Sequence, residues 1–117
     1  MRTLNDYAIQ LPLLTISGAN TTTGVAAMDD GELRELCFSL DVTTTTNPTV
    51  LSIKVETVTV GTVTIPVTTL LNIPKVIPVV VSATKALRVV KGNLITVTSD
   101  GGSGAVSIMS GTLVVRR

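Results

Sequence analysis

Residues 91–104 read KGNLITVTSDGGSG. From Leu94 to Ser99, apolar and hydroxyl side chains alternate, which puts Ile95 and Val97 on one face of an extended chain. Lys91-Gly92-Asn93 before them and Asp100 to Gly104 after them are residues that turn a backbone. The glycines also suggest a loop that cradles phosphate. Spacing rules that out: Gly102-Ser103-Gly104 is followed by Ala105, Val106 and Ser107, so G-x-G-x-x-G breaks at its last position. No Lys-Ser/Thr pair follows the last glycine, and no helical pattern comes after it. The stretch is turn, strand, turn. Asp100 is the group in its second turn that could touch an ion or a partner.

The same pattern runs outward in both directions. Tyr7 to Ile16 is a first extended segment, Asn20 to Gly24 a polar turn, and Val25 to Met28 a short strand. Asp29-Asp30-Gly31 is a turn signal, with Gly31 able to take positive φ. Leu33 to Asp41 alternates, with Leu36, Phe38 and Leu40 on one face and Glu35, Cys37 and Ser39 on the other. Val42 to Pro48 is a loop. In Val50 to Val58, Leu51, Ile53 and Val55 share a face opposite Ser52, Lys54 and Glu56. Around Gly61 the parity slips by one residue, as at a bulge or tight hairpin. Pro66, Pro74 and Pro78 confine their segments to loops or sheet edges, because proline donates nothing to a ladder. Val76 to Ser82, Ala86 to Val90 and Ala105 to Met109 are further strands. Gly111 marks a bend before Leu113 to Val115. Turn signals about every 8–12 residues predict an all-β protein, a jelly-roll-like antiparallel β-sandwich of about eight short strands. Residues 1–117 form a single domain on this reading. Residues 1–10 are either an extended N-terminal arm or the first strand of their own sheet.

Composition narrows the partners. Aromatic residues are 2% of the chain, Tyr7 and Phe38, so the core must be built from Val, Ile, Leu and Thr methyls. Mean hydropathy is high, yet no stretch approaches the roughly 20 apolar residues of a membrane-spanning helix. The best candidate, Val76 to Val90, contains Pro78, Ser82, Thr84, Lys85 and Arg88. A secretory signal is not expected, because Asn5, Asp6, Gln10 and Pro12 break the pattern. Self-association is the expected use of the surplus apolar surface. Net charge is +1, no basic run exceeds two residues and stacking aromatics are scarce, which excludes a nucleic-acid footprint. The single cysteine, Cys37, excludes a disulfide within the chain, and its strand position predicts a buried, inert thiol.

Histidine is absent, which removes the usual general base, the Ser-His-Asp arrangement and the commonest metal ligand. Asp29, Asp30 and Glu32 cluster at one turn, where aspartate is favoured for backbone reasons. "DDGE" lacks the spacing of a calcium loop, and "SDGGSG" offers one carboxylate. Asn20-Thr21-Thr22 is a glycosylation acceptor only in a secreted eukaryotic protein. No catalytic set, cofactor or metal is expected.

The segments "VVKGNLITVTSDGG" (89–102), "DGELRELCFSLD" (30–41) and "PTVLSIKVETV" (48–58) together resemble the small jelly-roll proteins that decorate tailed-phage capsids. TNF-like and C1q-like trimers share the style, but the aromatic cluster of the C1q core is missing. The resemblance implies a non-enzymatic virion structural protein, made in the host cytoplasm and bound to the outer capsid surface. There it would tie major capsid protein subunits together as a homo-oligomer, a trimer before a dimer. The partner interface would be the N-terminal arm, with Arg2, Leu4 and Tyr7, and the Arg116-Arg117 end. The alternative is a carbohydrate- or receptor-binding sandwich module of a virion, using loops 20–24, 43–48 and 100–104.

Overall fold

The computed structural model describes residues 6–17, 21–81, 88–102 and 107–116. Among them are eleven strands and no helix: β1 Asp6–Gln10, β2 Leu14–Thr15, β3 Thr22–Ala26, β4 Gly31–Leu40, β5 Thr49–Val55, β6 Val58–Ile65, β7 Lys75–Pro78, β8 Val80–Val81, β9 Arg88–Val89, β10 Leu94–Ser99 and β11 Ile108–Arg116. One sheet has the order β1-β11-β4-β7, with β2 also beside β11 and β9 also beside β4. The other has the order β3-β10-β5-β6-β8. Every pairing is antiparallel. The expected all-β sandwich is present, with eleven strands among the described residues where the sequence suggests about eight.

The core lies between the sheets and follows the alternation. Leu36, Phe38 and Leu40 of β4 are buried, as are Leu51 and Ile53 of β5, Ile95 and Val97 of β10, and Met109 and Leu113 of β11. Cys37 faces the other way and is half-buried, not buried as expected. β10 spans the six residues anticipated, and Gly92 before it has φ 91°. Asn93 N–H donates to the Val90 carbonyl at 2.9 Å, closing that turn.

Several departures have local causes. The first extended segment breaks after Gln10, and both pieces, β1 and β2, lie on β11. Residues 6–10 are thus a strand of their own sheet, and residues 1–5 lie outside the described residues. β3 begins at Thr22, inside the expected polar turn. Threonine is β-branched and suits a strand, and the Thr22 and Thr98 hydroxyls bond across the pair at 2.9 Å. Gly111 does not bend the chain. It pairs with Phe38 in the middle of β11, where a Cβ would meet Met109 and Leu36 side chains at 3.1 and 3.3 Å. Ser82, Ala86, Leu87, Ala105 and Val106, placed in strands by the sequence, lie outside the described residues.

Two bulges reset the parity. In β6 the register shifts opposite Ile53/Lys54, so Val60 and Gly61 are both buried, as the slip at Gly61 predicts. The hairpin itself turns at Glu56, whose φ is 57°. The second bulge is in β4: Val115 pairs with Leu33 but Val114 with Glu35. It lets Leu33 and Leu36 both face the core, and leaves the adjacent Arg34 and Glu35 outside it. Pro78 closes β7, an edge strand, as proline in a sheet requires.

The Thr49 hydroxyl is buried without a hydrogen-bond partner among the described residues. Thr49→Val keeps the shape and removes the unsatisfied group. It should raise the free energy of unfolding by about 1 kcal/mol, measured by urea denaturation. A loss of that size would mean that the hydroxyl has a partner after all.

Candidate functional site

Where β4, β9 and β11 meet, the sheet register sets charged residues side by side. Glu32 lies opposite Arg88 on β9 and opposite Arg116 on β11. Their strand neighbours Leu33, Val89 and Val115 are fully buried, so alternation turns Glu32, Arg88 and Arg116 outward. Arg34 follows on the same outward face, ahead of the bulge. Together with Asp30 and Gly31 these residues line an open cleft of about 370 Å³.

Gly31 is needed there for packing and does not take a positive φ. A Cβ at this position would lie 2.5 Å from Val115 Cγ1 and 2.9 Å from the Arg116 carbonyl oxygen. Without a side chain at residue 31, β4 can start directly against β11. That close approach brings Glu32 alongside Arg116.

The acidic turn that the sequence singles out forms one wall, but its carboxylates already have structural duties. Asp29 Oδ1 accepts the Asp30 N–H at 2.8 Å, and Asp30 Oδ1 accepts the Lys91 N–H at 2.7 Å. Glu32 Oε1 accepts from Arg34 Nη1 at 3.3 Å. Among the described residues no group of three His, Cys, Asp or Glu side chains could hold a metal ion. The cleft therefore brings together three guanidinium groups and two carboxylates, of which Arg34 and Glu32 are paired with each other.

The candidate loops at the other end of the sandwich are held together in a different way. Asp100 Oδ1 accepts the N–H groups of Val50 and Gly102, both at 3.0 Å, and Asn47 N–H donates to the Gly102 carbonyl at 3.2 Å. Asp100 thus clamps the loop onto the start of β5 and leaves an ion little room at that oxygen. Of loops 20–24 and 100–104, residues 20, 103 and 104 lie outside the described residues.

Of the interface residues drawn from the sequence, Arg2, Leu4 and Arg117 lie outside the described residues. Arg116 lines the cleft. Tyr7 is half-buried against the core, and its hydroxyl donates to the Asp29 carbonyl at 2.5 Å. It therefore ties β1 to the acidic turn and supports the cleft wall from behind. The sequence alone assigns no site role to Arg34, and marks Arg88 only as a polar break in an apolar run. An alternating E-x-R after the DDG turn does signal Arg34. Nothing local signals Arg88, because its neighbour Glu32 is far away along the chain.

No family model and no curated protein matches the sequence. Solved structures do match the fold. A family 6 carbohydrate-binding module whose binding sub-sites were dissected by crystallography and calorimetry superposes with a TM-score of 0.62 at 12% identity, over 98% of this chain and 85% of that one. CsCBM6-3 from Clostridium stercorarium, solved with cellobiose, gives 0.60 at 12% identity, over 99% of this chain and 86% of that one. A β-1,3-glucan-binding family 6 module from Bacillus halodurans gives 0.56 at 11% identity, over 97% and 86%. The chain shares their fold over nearly its whole length.

These likenesses overturn the capsid-decoration resemblance. With it go the major capsid protein as partner, the self-assembled trimer, the outer capsid surface as location and the host cytoplasm as a virion protein's place of synthesis. The physical reason is that the quoted segments encode hairpins and alternating strands. Antiparallel sandwiches share these whatever they bind.

Proposed function

We propose that this chain is a non-catalytic carbohydrate-binding module. The observation that carries the proposal is the superposition on family 6 modules over 98% of the chain. The chemistry agrees with it. The chain has no histidine, and the carboxylates clustered at the acidic turn are engaged in backbone bonds and an ion pair.

The charged cleft at the β4, β9 and β11 junction is the binding site in this proposal. Phe38 is buried and Tyr7 packs on the core, so neither ring offers a flat platform for a sugar. A sugar here is held by hydrogen bonds from planar polar groups to its hydroxyls, which guanidinium and carboxylate groups make in pairs. Binding without ring stacking is weaker and more specific in its polar contacts.

Isothermal titration calorimetry against a panel of soluble oligosaccharides tests the proposal. The panel spans neutral β-1,4- and β-1,3-glucans and acidic glycans. Saturable binding to at least one class is expected. Folded protein that binds no member of the panel would overturn the proposal.

A further inference from the structure

We infer that a second pocket, beside the edge strand β7, takes a small molecule with an apolar body and one carboxylate. The inference is independent of the carbohydrate-binding proposal. The pocket shares no residue with the charged cleft. Its innermost residue, the buried Phe38, stands about 20 Å from Glu32 at the rise of an extended strand.

The pocket is a slot between β7 and the loop that leaves β6, with a volume of about 330 Å³. That is the small end of the range for ligand sites. Lys75 lies opposite Phe38 in the β4–β7 register and Ile77 opposite Leu36, so both belong to the core side of the sheet. Pro66 and Val67 form the facing wall. Lys75 is the one charged residue that lines the slot among the described residues. No hydrogen bond or ion pair engages its ammonium among them.

A second observation comes from the backbone. Thr68, which also lines the slot, has φ 63°, a conformation that costs a β-branched residue and that glycine adopts freely. A latch of threonines holds it there. Thr68 N–H donates to the Thr44 carbonyl at 2.9 Å. The buried Thr44 hydroxyl accepts the Thr69 N–H at 2.9 Å and donates to the Pro66 carbonyl at 2.8 Å. The Thr69 hydroxyl donates to the same carbonyl at 2.7 Å. The Thr68 hydroxyl takes no part in this latch, and no hydrogen bond engages it among the described residues. Strain that the surroundings enforce gathers at ligand clamps. Here it keeps an uncommitted hydroxyl at the wall of a slot.

These groups define a ligand. Phe38, Ile77, Pro66 and Val67 take an apolar body. The Lys75 ammonium offers three donors to a carboxylate at the mouth, and the Thr68 hydroxyl offers one more. A sugar in the slot would leave most of its hydroxyls facing apolar walls, which is unfavourable.

The test is a titration of the full chain followed by amide NMR shifts, at pH 7 and matched salt. The probes are 3-phenylpropionate, octanoate and 3-phenylpropionamide. At least one carboxylate should give saturable shifts at residues 67–69 and 75–77. The uncharged amide should bind about fivefold more weakly than 3-phenylpropionate, the size of an exposed ion pair. Lys75→Gln should abolish that difference, whereas Lys54→Gln, on the other sheet, removes the same charge and should preserve it. Thr68→Gly relaxes the backbone, so it should melt no lower than the parent while binding carboxylate about threefold more weakly.

Shifts that fail to saturate, or that fall elsewhere, overturn the inference. So does an amide that binds as well as the acid, or an equal loss from Lys54→Gln and Lys75→Gln, which would mean general electrostatics. A Thr68→Gly protein that melts below the parent, or binds as tightly, would show that residue 68 serves the fold and not a ligand, and the inference would fall. None of these outcomes bears on the carbohydrate-binding proposal, which the oligosaccharide panel decides.

Discussion

Leu36→Ala is expected to lower the free energy of unfolding by about 3–4 kcal/mol. Leu36 is fully buried at the centre of β4, directly opposite Leu113 on β11 and Ile77 on β7. Its side chain also fills the space over Gly111, where the leucine methyl stands 3.3 Å from the position of a Cβ. Truncation removes three carbons from a fully buried site beside Gly111, where the Met109 and Leu11 side chains already stand within 4 Å. Their shift refills part of the space, and the cavity that persists sets the cost. Leu13→Ala is the contrast. That residue is 68% exposed and should change stability by no more than about 0.5 kcal/mol. Urea unfolding of the two variants checks both figures. Equal losses would show that the two leucines are not divided between core and surface as described.

Gly102→Ala is expected to destabilise by about 3 kcal/mol, a fall in melting temperature of roughly 10 °C. A Cβ at residue 102 would lie 2.1 Å from the Pro48 carbonyl oxygen, 2.9 Å from its carbon and 3.2 Å from Thr49 Cα. All three are backbone atoms, so no rotamer change relieves the clash. The loop must lift away from the start of β5. That breaks the Asn47 to Gly102 bond and pulls Asp100 from the two N–H groups it clamps. Gly92→Ala provides the scale. Gly92 has positive φ but nothing within 4 Å of its Cβ position, so its substitution should cost only about 1 kcal/mol. Differential scanning calorimetry ranks the two. A Gly102→Ala protein that melts with the parent would mean that loop and strand do not touch.

The glycine at 102 shows what a sequence can and cannot reveal. The cluster of glycines is visible as a turn, and the turn is there. That Gly102 is required by contact with Pro48, far away in the chain, is invisible without the fold. Leu36, Phe38 and Leu40 were legible as core because alternation is a local property, and so were Ile95 and Val97. The parity slip at Gly61 was legible for the same reason. The bulge in β4 was not, since Leu33, Arg34, Glu35 and Leu36 fit an unbroken strand unless the register with Val114 and Val115 is known. The cleft was half legible. Asp30 and Glu32 stood out in their turn and Arg116 at the end of its strand. What joins them is the pairing of β4 with both β9 and β11. The capsid resemblance failed because hairpin signals carry fold and not partner.

The strand order has a further consequence for synthesis on the ribosome. Of the described strands, β1 and β2 are made before the others, yet both pair with β11, which comes after them all. β5 and β6, by contrast, form a hairpin from adjacent residues and can close early. The nascent chain must therefore hold Ile9, Leu11 and Leu14 unpaired while the strands between them and β11 emerge. These side chains become buried only when β11 slides between β1 and β4. Closing such distant ends is slow. Until then those early apolar segments are what a chaperone, or a neighbouring nascent copy, would find exposed.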